Sequence, residues 1–466
     1  MAQDAVGSPG VPAVAAVGGS AQDPVLWILT TAVFVVYSVL SVSRYVTGNP
    51  SSWDLAIFTE AVSRYAHAQA PVVHMKGLNL LGDHFHPVMA LFAPAFRVFP
   101  SPVTLLVGQA LLTAASVVPV HRAASHLLTR AEARIVAGAY GFSWGLAGMN
   151  WSDVHEVAFA VPLIAASLSA LVRDRPHAAM WWAAPLVFVK EDQGFTVTAI
   201  GLVLAVAYRE RLRGLLLAAW GAGMSLLAVC VIIPAFNPQH TYPYWQYGGT
   251  PATLVSGLDT KLPTLALILL PTAFTAPRSP LAAVAVPALW LRFFASYDHY
   301  WGTYWHYSAT AMPVVFIAAV DGLARIRAAR REDSPGGLRS WLGARAPVMM
   351  AVTAVALAVW SPLSNLWQPQ TYRVPAHTRA ARAAERLIPA GATVHATLGE
   401  LAPLVTRNEV YYFDTRTASD WILVDTAPGS GWAWKDPPDE PTLWFADVTY
   451  RTVYARDGVW LFRRVR

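Results

Sequence analysis

VLWILTTAVFVVYSVLSV, residues 25–42, runs eighteen residues without a charge. A helix needs about 20 predominantly apolar residues to cross the hydrocarbon of a bilayer, and GLLLAAWGAGMSLLAVCVIIPAF (214–236) repeats the signal. The whole chain agrees: 55% of its 466 residues are hydrophobic and 13% are charged, against about a quarter charged in a typical soluble domain. Candidate spans begin near residues 25, 102, 134, 157, 178, 194, 214, 262, 280, 307 and 345. The expected fold is an all-α polytopic membrane protein of about eleven transmembrane helices, occupying residues 25–363.

The connecting loops set the orientation. HRAASHLLTRAEAR (121–134), RDRPH (173–177), RERLR (209–213), PRSP (277–280) and RIRAARREDSPGGLRSWLGAR (325–345) together hold fifteen arginines. The alternate loops NWSDVHE (150–156), KEDQG (190–194), NPQHTYPYWQYGGT (237–250) and SYDHYWGTYWHY (296–307) hold one lysine. The positive-inside rule puts the first set in the cytoplasm. An odd number of spans then leaves the amino terminus inside and the carboxyl terminus outside the cytoplasmic membrane. Topology accounts for the net charge of +6, so nucleic acid is not an expected partner.

The ends and the cysteine narrow the reading further. Residues 1–24 contain no Lys or Arg and read as a disordered tail ahead of an uncleaved first span. Cys230 is the only cysteine, which excludes an intrachain disulfide or a cysteine-rich metal site. Beyond residue 363 the composition turns polar. RAARAAERLI reads as a helix, and ATVHATL, EVYYF, DWILVD and TVYARDGVWLFRRV read as strands between breakers. Residues 368–466 are thus expected to form a small extracytoplasmic α/β domain. The chain carries no phosphate-loop or dinucleotide fingerprint.

The chemistry-bearing clusters all fall on the outer side. In SSWDLAIFTEAVSRYAHA (51–68), Trp53, Ile57, Phe58, Ala61 and Tyr65 recur at helical spacing, as in a helix lying in the interface. It belongs to the long loop 48–101. Asp54 in its first turn either complements the helix dipole, with Ser51 or Ser52 as cap, or serves as a general base. In GDHFHP (82–87), Pro87 suits the first position of a helix. That gathers Asp83, His84 and His86 ahead of its free N–H groups, where a metal ion, a phosphate or a sugar could be held. H-x-H supplies only two metal ligands, and Asp153, His155 or Glu156 could add a third. Lys190 is one of four lysines. It either pairs with Glu191 or Asp192 or contacts a phosphate, with Arg292 and His299 as rivals for that contact. Tyr300, Trp301, Trp305 and His306 belong to an aromatic stretch that forms an interfacial belt or stacks on a sugar or lipid.

The segments DLAIFTEA, GDHFHPVMALFAPAFRVFPSPVTLLVGQALL, SDVHEVAFAVPL, VKEDQG and RLIPAGATVHATLGELAPLVTRNEVYYFD resemble, in this order, the domain-of-unknown-function 2079 family of bacterial membrane proteins. The resemblance covers nearly all of the chain after residue 25. That family is in turn similar to the GT-C glycosyltransferases, which take a sugar from a polyprenyl-phosphate carrier on the non-cytoplasmic side. The resemblance implies a catalytic carboxylate on a helix just after the first span, the place held by Asp54. No second acid adjoins it, and the nearest is Glu60.

The implied activity is inverting transfer to a cell-envelope glycan or glycolipid at the outer leaflet. Asp54 is the base; Lys190, Arg292 or His299 meets the donor phosphate. Glu60, Asp153, His155, Glu156, Glu191, Asp192, Tyr300, Trp301, Trp305 and His306 are the candidate substrate contacts. A divalent metal on Asp83, His84 and His86 is the one candidate cofactor. Two alternatives use the same residues: a transporter or flippase of lipid-linked sugar, and a metal-dependent hydrolase of an outer-leaflet lipid.

Overall fold

A computed structural model describes residues 23–48, 53–329, 337–413, 417–426, 445 and 448–465. The expected tail, apart from Asp23 and Pro24, and the capping serines 51 and 52 lie outside the described residues. Helix α1 (Pro24–Val46) starts where Pro24 follows Asp23, whose carboxylate accepts from Val25 N at 3.1 Å. The same carboxylate takes two hydrogen bonds from Arg134, at 3.0 and 2.8 Å, fastening this end of α1 to the helix Arg130–Gly141.

Helices stand at all eleven expected positions, yet among the described residues five are long and apolar enough to cross a membrane alone. These are Pro24–Val46, Pro102–Leu127, Arg211–Phe236, His306–Ala329 and Trp341–Trp360. Others are short or broken: Pro176–Ala183 passes into a 3-10 turn where Pro185 interrupts it. The Ala311–Ala329 helix runs through the middle of the bundle with nearly every residue buried. Gln193–Val206 and Arg211–Leu227 approach at glycines: a Cβ on Gly201 would come within 2.5 Å of Ala218 N and Gly214 O. Backbones can approach this closely only where side chains are absent.

Helix α2 (Trp53–Ala66) departs from the expected interfacial helix. Leu55 through Val62 are all buried, including Thr59 and Glu60. One side packs on the membrane bundle; the other meets the C-terminal domain through the helix Leu398–Leu404 and a Trp53–Tyr412 ring contact at 5.2 Å. After α2 a short hairpin, β1 (Val72–Val73) with β2 (Leu78–Asn79), leads back towards the bundle.

The C-terminal segment folds as a mixed α/β unit. Strands β3 (Thr393–Ala396), β4 (Glu409–Tyr411), β5 (Trp421–Asp425), β6 (Thr449–Arg456) and β7 (Val459–Val465) lie in the order β4-β3-β5-β7-β6. β3 is parallel to β4 and β5, whereas β7 is antiparallel to β5 and β6. TVYARDGVWLFRRV makes two strands rather than one. Asp457 and Gly458, both at positive φ (50° and 82°), form its turn, the backbone that an Asp-Gly pair favours in a two-residue hairpin.

Candidate functional site

Three loops meet because buried polar side chains pull them together. Gln109, fully buried on the helix Pro102–Ala115, donates to Asp153 O at 2.7 Å and accepts from His155 N at 2.9 Å. Arg44, near the end of α1, contacts Asp153 Oδ1 at 2.9 Å. Asp153 turns the chain at φ 70°, a left-handed conformation that aspartate tolerates better than most residues. The turn delivers His155 and Glu156 into the interior.

The GDHFHP loop arrives from the other side. Pro87 opens a six-residue 3-10 helix with His86 before it, as expected, but His86 makes no capping bond. The 3-10 turn runs on into the helix Ala93–Val98, and the loop ahead of it is held by side chains. His84 Nδ1 lies 2.6 Å from Glu191 Oε1, and Glu191 also accepts from Phe85 N and Tyr242 OH, each at 3.1 Å. Asp83 pairs with Lys76 and accepts from Tyr244 OH at 3.1 Å. The His84 ring stacks on Tyr244 at 4.1 Å.

These loops enclose a polar cavity of about 190 Å³. Asp54 stands at its wall, half-buried in the first turn of α2, and accepts no hydrogen bond from any described residue. Facing the same space are Lys76, Asp83, His84, His86, His155, Glu156, Lys190, Tyr300, His306 and Tyr307. Lys190 Nζ pairs with Glu156 Oε1 at 2.8 Å, not with the neighbouring Glu191 or Asp192 that the sequence offered. The rings of His155 and His306 stack 3.5 Å apart.

Burial and neighbours fix the charges. Burial pushes His86 down to about 4, so its imidazole is neutral at neutral pH, and its Nδ1 is buried without a partner. Burial opposes the Lys190 ammonium, but Glu156, Asp192 and Glu191 keep its pKa well above the usual lysine value. Burial likewise opposes the Glu191 carboxylate, yet His84 and Lys190 draw it down to about 2. Asp83 is held below its ordinary value by His84 and Lys76 despite its burial.

A second cavity, about 460 Å³ and largely aromatic, adjoins the first. His84, Lys190, Tyr244, Tyr300, His306 and Tyr307 line both. Glu191, Asp192, Tyr242, Trp245 and Arg292 belong to the aromatic one alone.

Several expected site residues fall elsewhere. His299 is exposed, stacked on Tyr297 at 4.7 Å and paired with Asp298 at 2.9 Å, away from both cavities. Arg292 is buried, and its guanidinium is committed to Tyr300 O, Gly302 O and Ser308 Oγ, so it braces the aromatic loop. Trp301 sits beneath Lys261 at 3.9 Å, and neither it nor Trp305 lines either of these two cavities. Glu60 is taken up by His74, 2.5 Å from its Nδ1. Asp153 faces a separate cavity of about 350 Å³ with Arg44, Glu385 and Glu400. Nor do Asp83, His84 and His86 form a metal set. Among the described residues no three His, Cys, Asp or Glu side chains are grouped to hold one, because Asp83 is turned to Lys76 and Tyr244 and His84 to Glu191. Lys76, Tyr244 and Tyr307 were missed. Lys76 lay in plain view as one of four lysines, Tyr307 ended the aromatic stretch 296–307, and Tyr244 stood in the tyrosine-rich loop 237–250.

The fold and the cavity define a polytopic helical membrane protein whose polar site is built from the loops joining its helices. Crystal structures of ArnT from Cupriavidus metallidurans, one bound to undecaprenyl phosphate and one apo, match it with TM-scores of 0.53 and 0.54. Each is 13% identical, covering 94% of this chain and 97% of that one. The arabinosyltransferase EmbB from Mycobacterium smegmatis lies further off, at a TM-score of 0.40 and 15% identity, covering 82% of this chain and 40% of that one. No curated protein matches the sequence. The chain belongs to the family described as "Predicted membrane protein (DUF2079)", whose model matches residues 45–461. At such identity the likeness to ArnT is one of fold alone.

Proposed function

We propose that this protein is a membrane glycosyltransferase that moves a sugar from a polyprenyl-phosphate carrier to a cell-envelope glycan or glycolipid. The carrying observation is Asp54. It is a carboxylate that accepts no hydrogen bond from any described residue, on the wall of a polar cavity that shares Lys190 with an aromatic one. In this reading the lipid end of the donor occupies the aromatic cavity, its phosphate meets Lys190 at the seam, and its sugar lies in the polar cavity before Asp54. The carboxylate takes the proton of the acceptor hydroxyl as that oxygen attacks the anomeric carbon. The bond to phosphate breaks on the opposite face, which inverts the centre. Lys190 and Lys76 offset the charge on the departing phosphate. No nucleotide is needed, because the sugar is already activated on its carrier.

The fold shared with ArnT, solved bound to undecaprenyl phosphate, supports this donor class. The arginine-rich loops support a cytoplasmic-membrane topology with the amino terminus inside and the site and C-terminal domain outside. The test uses purified protein in lipid nanodiscs with radiolabelled polyprenyl-phosphate sugars and an envelope-lipid extract. Transfer by wild type and a loss of about 10²–10⁴-fold in Asp54→Asn, with donor binding retained, is the expected result. Full activity in Asp54→Asn removes the base. Failure of every donor to bind removes the reading.

A further inference from the structure

On the membrane domain's flank lies an apolar groove of about 1240 Å³. Phe34, Leu111, Leu112, Val118, Phe159 and Leu163 are among its walls, and Arg122, Arg173 and Arg175 close one end. That end is remote from the candidate site. Gln109 holds the site loop by its bond to His155 N, and Arg122 stands thirteen residues further along the same apolar helical run, about 20 Å at 1.5 Å per residue.

The three arginines are set apart by lining one groove without a carboxylate partner; Arg130, Arg209, Arg211, Arg278 and Arg345 also pair with none among the described residues, but they lie outside it. On this face of the bundle Arg134 pairs with Asp23, Arg213 with Glu210, Arg325 with Asp321 and Arg327 with Glu132. Arg122, Arg173 and Arg175 pair with no carboxylate among the described residues, and Asp174, between two of them in the chain, makes no ion pair with either. They also repel one another: after burial, the neighbouring Arg175 and Arg122 are what lower the Arg173 pKa. Three unneutralised guanidiniums at the mouth of an apolar trough are complementary to one kind of molecule. It carries phosphate, which guanidinium binds in bidentate fashion, on a hydrocarbon body.

We propose that this groove is a binding site for an anionic glycerophospholipid, its phosphate on Arg122, Arg173 and Arg175 and its acyl chains along the trough. The length fits one leaflet: Leu111 to Arg122 spans about 16 Å of helix, half of a hydrocarbon core roughly 30 Å thick. The far end reaches Pro87 and Val88, directly after His86, so a seated lipid braces the 3-10 turn that follows the site loop. This site is independent of the activity proposed above.

The experiment is native mass spectrometry of the full chain released from detergent, titrated with phosphatidylglycerol or phosphatidylcholine of identical acyl chains, and separately with undecaprenyl phosphate. Each arginine near a lipid phosphate contributes about fivefold in affinity, so the triple variant Arg122→Gln/Arg173→Gln/Arg175→Gln is expected to bind phosphatidylglycerol about a hundredfold more weakly. Ala166→Phe, which fills the trough and leaves the arginines, is expected to weaken both phospholipids. Arg209→Gln/Arg211→Gln, outside the groove, is expected to change neither. Equal retention of the two phospholipids by wild type, or unchanged phosphatidylglycerol binding in both groove variants, overturns the proposal. Undecaprenyl phosphate outcompeting phosphatidylglycerol at these arginines overturns the choice of lipid.

Discussion

Lys190 has two roles open to it, and a mutant cycle separates them. Its ammonium lies 2.8 Å from Glu156 Oε1, and the Glu156 side chain is only 3% exposed. Lys190→Met keeps the length of the chain but strands that carboxylate. Breaking a buried pair from one side costs about 3–5 kcal/mol. Adding Glu156→Gln removes the stranded charge and should restore most of the thermal stability in nanodiscs. Donor affinity should not return with it. If Lys190 meets the donor phosphate, the double variant still lacks that cation and binds a polyprenyl-phosphate sugar at least tenfold more weakly than wild type, about 1.4 kcal/mol. Melting temperature and donor titration, measured on wild type and both variants, give the two readouts. A double variant with wild-type donor affinity would falsify the phosphate role and leave Lys190 as the counter-ion of Glu156.

Acid should destabilise the fold in two steps. Below pH 6.5 the unfolded chain binds a proton at His86 that the folded protein refuses until about pH 4, so stability falls across that window by up to about 3 kcal/mol. His86→Gln should flatten this step in a series of thermal melts. Glu191, at about 2 when folded against 4.5 ordinarily, contributes above pH 4.5 and loses its contribution as the pH falls towards 2. Glu191→Gln should cost about 3 kcal/mol at neutral pH and abolish the lower step; an unchanged melt would deny that its three hydrogen bonds hold the loop. Gly201→Leu should lower the melting temperature by an amount equivalent to at least 1–3 kcal/mol, since its Cβ meets backbone rather than a movable side chain.

The sequence announced what hydrophobic runs and charge asymmetry encode: helices at the expected positions, a polar C-terminal unit, and clusters of Asp, His and Lys in alternate loops. It also marked Asp54, His84, His86, His155, Glu156, Lys190, Tyr300 and His306, which share one cavity. What failed was pairing. Lys190 has two acids as chain neighbours but bonds to Glu156, which is brought in from another loop by the Gln109 and Arg44 contacts around Asp153. Asp83, His84 and His86 look like a ligand set in one dimension; in three, each has a different surrounding. His299 and Trp301 shared the aromatic density of their stretch, yet that density mixes cavity walls such as Tyr300 with surface packing. A loop's composition fixes what it can contribute, and its partners in space decide which residues do so.

The same logic assigns a role to the C-terminal domain. Trp53, one residue before Asp54, packs edge-on against Tyr412, and Tyr411 stands 5.6 Å from His74, whose partner Glu60 is on α2. At the end of α1, Thr378 Oγ1 donates to Thr47 O at 2.9 Å and Arg382 to Val46 O. The domain therefore grips the chain on both sides of the junction between the two helices. If Asp54 is the base proposed above, its placement rests on the backbone that carries it, and a displacement of about 1 Å would cost much of its effect. Helix α2 is thus held on both faces, by the bundle on one side and by the sheet domain on the other, and loosening Tyr412 by Tyr412→Ala is expected to lower transfer by more than it lowers donor binding.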